Sequence, residues 1–239
     1  MFYYMFTSLE SHYDQGFGAI ADAFADAAEA LFNRFTVGPA PFHGHLPMMY
    51  LYRHAVELYL KSLIIILHKA LAIPFDDAPS SSEPKILAKG KWKAIYHVHS
   101  IADLYAYFGS LLRQEEAALK RTARTDWSTM PDGLDEWIKT IEEFDSSSTF
   151  FRYPLTKEIA NDRDKSSWQK ATEEALLSGS GPDGKPSNAF VFVDENHQVV
   201  EGYLQHEDPL PRVTDALRRT TELLQGAHAG MRVELAGGL

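Results

Sequence analysis

The sequence predicts a mainly α protein, an α-helical bundle with a small C-terminal β-hairpin and a final helix. Two observations carry that class. Apolar residues recur at helical spacing in four segments before residue 145, and two β-rich runs, AFVFV at 189–193 and QVVEGYL at 198–204, flank a short DENH turn. A chain of 239 residues can bury a sizeable core, as one large domain or as a helical domain with an appended element.

The elements follow in order. In the alanine-rich stretch 17–35, Ile20, Phe24, Ala27, Leu31 and Phe35 share one side while Asp22, Asp26 and Glu29 take the other, as a helix requires. Three prolines and two glycines make 36–47 a loop. A second, longer helix runs from about Met48 to Leu71. Residues 72–94 mix Pro, Ser and charge without a period and read as a long loop. A third amphipathic helix covers 100–121, opened by Ser100 and Asp103 at capping-box spacing. A fourth covers 131–144, with Asp132 as its N-cap. Residues 164–178 suit a short helix and 178–188 a flexible connector to the hairpin. The last helix has Pro near its start, and the tail from Ala227 onward is expected to fray.

Composition excludes several classes. The formal net charge of −10 argues against a broadly basic nucleic-acid surface, though not against a local basic patch. With no cysteine there is no disulfide, thiolate zinc site or cysteine nucleophile, which fits a cytoplasmic protein. The opening MFYYMFTSLESHYD lacks a basic stretch and a small-residue cleavage site, a poor signal peptide. The longest apolar run, SLIIIL at 62–67, is far short of the ~20 residues of a membrane span. No phosphate-binding G-x-x-x-x-G-K-[ST], no G-x-S-x-G and no H-E-x-x-H occurs, so neither a cofactor nor a metal is assigned.

The second helix raises the sharpest question. At about 100° per residue, Arg53, Glu57, His68, Lys61 and His54 fall in one narrow wedge of an otherwise apolar helix. The wedge is either a solvent-facing ladder, each pair worth ~0.3–0.5 kcal/mol, or a buried cluster that pairs with other helices or binds an anion. A guanidinium from Arg152 could pair with Glu57 while the Tyr153 hydroxyl meets His99 or Asp103, and the wedge then becomes an internal clasp. Histidine pairs stand at 43–45 and 97–99, and with Asp103 or Glu57 as a third donor they would suit a metal-binding enzyme. KILAKGKWK at 85–93 combines four lysines with a tryptophan, able to attract phosphates and stack a base.

Several of these residues form a family pattern. YRHAVELYLKSLI, with Ala55, Glu57 and Lys61 as A-x-E-x-x-x-K, resembles the second main helix of the HEPN (higher eukaryotes and prokaryotes nucleotide-binding) superfamily. HSIADL at 99–104 is similar to the His-led segment opening a later helix. Phe150 through Pro154 is similar to the Arg-Tyr-Pro segment after the last bundle helix. The resemblance spans roughly 17–160. It implies a HEPN-like helical bundle over 1–160; the hairpin and last helix lie outside the resemblance, and 161–239 reads as a C-terminal extension (short helix, β-hairpin, helix) packed on that bundle. The resemblance also implies a homodimer, and a nucleotide, RNA or nucleotidyltransferase-type protein as partner, in a toxin–antitoxin or defence setting.

The ribonuclease members carry R-x4–6-H, and no Arg here has His at that distance. The leading expectation is therefore a binding module without the usual nuclease motif, its ligand held by Arg53, Glu57, Lys61, His99, Asp103, Arg152 and Tyr153. The alternative is a divergent metal-independent ribonuclease toxin using Arg53, His54 and His99, because histidine moves protons near neutral pH and arginine steadies phosphorane charge.

Overall fold

Helix α2 (His45–Ala70) is the axis around which the other elements pack. The computed structural model describes residues 6–37, 41–156, 162–180, 184, 186–206 and 208–238. From Leu58 to His68 every residue of α2 is buried, and Leu60 and Leu63 through Leu67 are fully so. A helix apolar around most of its circumference needs neighbours on several sides. It has them in α1 (Phe17–Val37), α3 (Ile101–Gln114) and α7 (Pro211–Leu235).

The face α1 buries is not the large-residue face. Ala21, Ala25 and Ala28 are buried while Ile20 is 37% exposed, and Phe24, Leu31 and Phe35 are only partly covered. Small side chains let two helix backbones approach closely, so the alanine stripe makes the tight contact and the large residues wrap its edges. Helix α5 (Leu134–Asp145) buries Leu134, Ile138, Ile141 and Asp145, and α7 packs across both α2 and α5.

Several boundaries differ from the sequence reading, each for a local reason. Helix α2 begins at His45, inside the expected loop, because Pro47 falls in its first turn, where no intrahelical N–H is needed. Within 72–94 a hairpin forms, β1 (Lys85–Ala88) on β2 (Lys91–Ala94), turning on Lys89 and Gly90 at φ 52° and 74°. That Lys-Gly turn has the positive φ values of a tight hairpin, and Ile86 and Ala88 anchor it to the core. The third helix breaks at Glu115, leaving α4 (Glu116–Thr122) as a separate short helix. Gly133 in the left-handed region, not Asp132, precedes α5. Helix α6 occupies only Glu173–Ser178, because Trp168–Lys170 forms β3 instead.

The C-terminal hairpin is thus part of a three-stranded antiparallel sheet in the order β3-β5-β4, with β4 Ala189–Val193 and β5 Val199–Gln205. Leu176 of α6 lies on Gly202 so closely that a Cβ there would come within 2.2 Å of its Cδ1. The tail does not fray at Ala227, for α7 continues to Leu235 with His228, Met231 and Arg232 buried. Parts of the expected 36–47 loop and 178–188 connector, the start of the N-terminal segment, and the 160/161 boundary lie outside the described residues. No described helix is long and apolar enough to cross a membrane.

Candidate functional site

The charged wedge of α2 is inside the protein. Arg53, Glu57 and Lys61 are 1%, 2% and 3% exposed, so the solvent-facing ladder is overturned. Glu57 is the hub. Its Oε2 accepts from Arg53 Nη1 at 3.0 Å, and its Oε1 accepts from Lys61 Nζ at 2.8 Å and lies 2.9 Å from His99 Nδ1. Arg53 also donates from Nη2 to the His99 carbonyl at 2.7 Å, and its Nε lies 2.9 Å from Asp145 Oδ2. Asp145 Oδ1 accepts the backbone N–H groups of Thr149 (2.6 Å) and Phe150 (3.0 Å). The cluster thereby joins α2, the segment leading into α3 and the end of α5.

Burial works to raise the Glu57 carboxyl, but Lys61, then His99 and Arg53, outweigh it and hold the group below the usual range. Glu142, one turn before Asp145, goes the other way, because burial raises it despite an Ala102 N–H donated to its Oε1 at 2.9 Å. A low-dielectric interior makes both effects larger than they would be at the surface.

Two candidates leave the cluster. Arg152 is exposed, donates from Nε to Ser148 O at 2.5 Å and stacks over the Tyr153 ring at 5.8 Å, so it does not pair with Glu57. Tyr153 is 54% exposed and touches neither His99 nor Asp103 through its hydroxyl among the described contacts. The clasp expected from Arg152 is made by Arg53 instead, with Asp145 as the acid that sequence reading missed. A signal for Asp145 did exist: an acidic residue at a helix C-terminus opposes the helix dipole and calls for a compensating partner.

The remaining candidates separate by exposure. His99 presents 58% of its side chain to solvent, with Nδ1 fixed by Glu57. His54 is half-buried, edge-on to Phe24 at 4.5 Å and stacked on Tyr50 at 5.9 Å, and burial depresses its pKa. Asp103 serves the start of α3, its N–H donating to Ser100 Oγ at 3.1 Å, and its carboxylate lies 3.6 Å from Lys89 Nζ. His68, in the same wedge on the wheel, is fully buried and stacked on Phe75 at 4.0 Å. Its Nδ1–H donates to Ile73 O at 3.0 Å, and Nε2 accepts from Tyr107 at 2.9 Å.

The histidine pairs do not converge on a metal. His45 is buried, with Nε2 donating to Lys165 O at 3.0 Å, and burial depresses its pKa to about 4. Among the described residues no three His, Asp or Glu side chains are placed to hold an ion. Trp92 packs edge-on against Tyr107 at 6.0 Å and is half-buried, so its ring is not presented for base stacking.

A second buried cluster had no sequence signal. Asp14 accepts from the N–H groups of Gly16 (3.0 Å) and Gly18 (2.7 Å) and from Ser62 Oγ (2.5 Å), with His228 Nε2 at 3.6 Å. Burial pushes its carboxyl up, yet His228 beside it and the bonds from Ser62 and Gly18 bring it down to about 2. This cluster ties the start of α1 to α2 and α7. No family model, no curated protein and no solved structure matches the chain.

Proposed function

We propose that the chain is a HEPN-like helical module that binds a phosphate-bearing ligand, RNA or nucleotide, without the usual nuclease motif. The support is one juxtaposition: the exposed His99 imidazole opens α3, and Lys89, at the tip of the β1–β2 hairpin, reaches Asp103 on that helix's first turn. Lys91 and Lys93 are exposed on the same hairpin. These cations face solvent, whereas Arg53 and Lys61 are engaged by Glu57 and Asp145 and serve to hold the surface in shape. A local basic edge of this kind attracts phosphate even on a chain of net negative charge. A place in a toxin–antitoxin or defence system follows from the resemblance alone.

The test is fluorescence anisotropy with a labelled single-stranded RNA across a salt series. Converting Lys89, Lys91 and Lys93 to Glu should weaken binding at least tenfold and flatten the salt dependence by up to ~2 log units per log unit of salt. No binding by the wild type at low salt, or equal binding by the variant, would refute the reading and favour a protein partner.

One observation favours catalysis as a second reading. A histidine whose Nδ1 is held by a buried carboxylate keeps a fixed ring orientation, leaving Nε2 toward solvent as the atom to take or give a proton. A metal-independent ribonuclease would use His99 in that role, without Arg53, which is too buried to meet a phosphate. RNA cleavage in the presence of chelator, abolished by His99→Ala, is the result that would select it.

A further inference from the structure

Among the described residues, strand β4 stands at the open edge of the C-terminal sheet, and all five of its residues are exposed. Phe190, Val191, Phe192 and Val193 are 54%, 45%, 50% and 53% exposed, and Val199 and Val200 at the hairpin end are 50% and 68%. Protein chains ordinarily guard a free edge with lysine, proline or a bulge. This strand has no charge and no proline, and its single irregularity lies at its end, between Phe192 and Val193.

The hydrogen-bond pattern shows which backbone groups are free. Gln205 N–H donates to Asn188 O (2.9 Å), whereas the Gly202 carbonyl turns away from β4 and accepts from Ala171 N–H (2.9 Å). Antiparallel pairs alternate between bonded and non-bonded, so Phe190 and Phe192 bond to β5 while Val191, opposite Gly202, points its N–H and C=O outward.

We infer that this edge pairs with β4 of a second copy of the chain, antiparallel about a two-fold axis at Val191. The sequence AFVFV is nearly symmetric about that residue. The pairing sets Val191 against Val191 with two reciprocal backbone bonds, and Phe190 of each copy opposite Phe192 of the other on one face. Two three-stranded sheets become one of six strands. The two-fold makes the contact self-complementary and closed, so it stops at a dimer. Area also permits it. Taking about 200 Å² for a whole Phe and about 150 Å² for a Val, the exposed apolar surface of β4 itself is roughly 350 Å² per copy. A pair would then bury up to ~700 Å² of it, besides the paired backbone, the size of a weak, reversible interface. An uncharged strand flanked by Asp194 and Glu195 suits an identical uncharged strand better than a phosphate backbone. This inference rests on the edge alone and is independent of the proposed ligand.

The decisive variant is Val191→Pro. It deletes the outward N–H while the bonds of Phe190 and Phe192 to β5 remain, and proline is tolerated on an edge strand at such a position. Sedimentation equilibrium or native mass spectrometry of the full chain, from ~1 to ~100 μM, should show a dimer with a Kd in the micromolar range. Val191→Pro should raise that Kd at least tenfold with unchanged far-UV circular dichroism. Should Val191→Pro disturb the hairpin, Phe192→Lys, which keeps every backbone donor, should give the same loss. A wild-type chain still monomeric at ~100 μM would overturn the inference and leave the edge to a different partner. So would variants that dimerise as tightly as the wild type, which would place the interface elsewhere.

Discussion

Asp145→Asn isolates the charge of the buried clasp from its hydrogen bonds. The amide oxygen can still accept from Thr149 and Phe150, which bond to Oδ1 at 2.6 and 3.0 Å. What disappears is the negative charge 2.9 Å from Arg53 Nε, at a site where both side chains are 1% exposed. Glu57 would remain as the counter-ion of both Arg53 and Lys61. Leaving a buried charge short of its partner costs about 3–5 kcal/mol, and the retained backbone bonds put Asn at the lower end, about 3 kcal/mol. For a chain of this size that is roughly 6–12 °C in Tm, at ~2–4 °C per kcal/mol. Urea denaturation followed by circular dichroism, with the m value shared between variants, measures it. Arg152→Ala is the companion, expected within about 0.5 kcal/mol of wild type because its side chain is exposed. If Asp145→Asn lost less than about 1 kcal/mol, or Arg152→Ala lost as much as Asp145→Asn, the assignment of the clasp to Arg53 would be wrong.

His45 makes stability depend on pH in a defined window. Its folded pKa of about 4 lies below the ordinary histidine value, so as pH falls from about 6.5 the unfolded chain takes up the proton first and stability drops, by up to ~3 kcal/mol near pH 4. In His45→Gln, which can keep the bond to Lys165 O, urea midpoints at pH 7 and pH 4.5 should differ less than in wild type. Asp14 acts in a lower window: its depressed pKa of about 2 stabilises the fold above about pH 4, and that contribution is lost as pH falls toward 2. Gly18→Ala would place a Cβ 2.0 Å from His228 Nε2 and 2.8 Å from Asp14 Oδ2. Overpacking of this kind should cost about 1–3 kcal/mol, and a variant as stable as wild type would mean that His228 moves aside freely.

The helical class and the order of its main elements were readable because apolar spacing over long segments reports burial directly. The centrality of α2 was readable for the same reason. The misses share a cause: interactions between residues distant in sequence. Trp168–Lys170 has no strand pattern of its own and becomes β3 by bonding to β5, more than thirty residues away. The hairpin at 85–94 hid behind its lysines, since two buried positions, Ile86 and Ala88, are too few to show a period. In the site, Glu57 meets Lys61 one turn along its own helix, as their spacing requires, whereas its contact with His99 joins segments distant in sequence. The arginine was misassigned because sequence order cannot tell a guanidinium on the hub helix from one beyond the end of α5.

Charges along α2 also fix where that helix can sit. A purely apolar rod amid apolar neighbours could slide by one residue, about 1.5 Å and 100°, at modest cost, since leucine and isoleucine accept one another's places. Here any such step would tear Arg53 from Asp145 and the His99 carbonyl and drive it into hydrocarbon. The wedge therefore acts as a key that admits one axial position. With alignment set by electrostatics, shape is left less to decide, and Leu60, Leu63 and Ile64 gain latitude to exchange for other aliphatics of similar volume. In this protein the polar minority of the core dictates the register, and the apolar majority is free to drift.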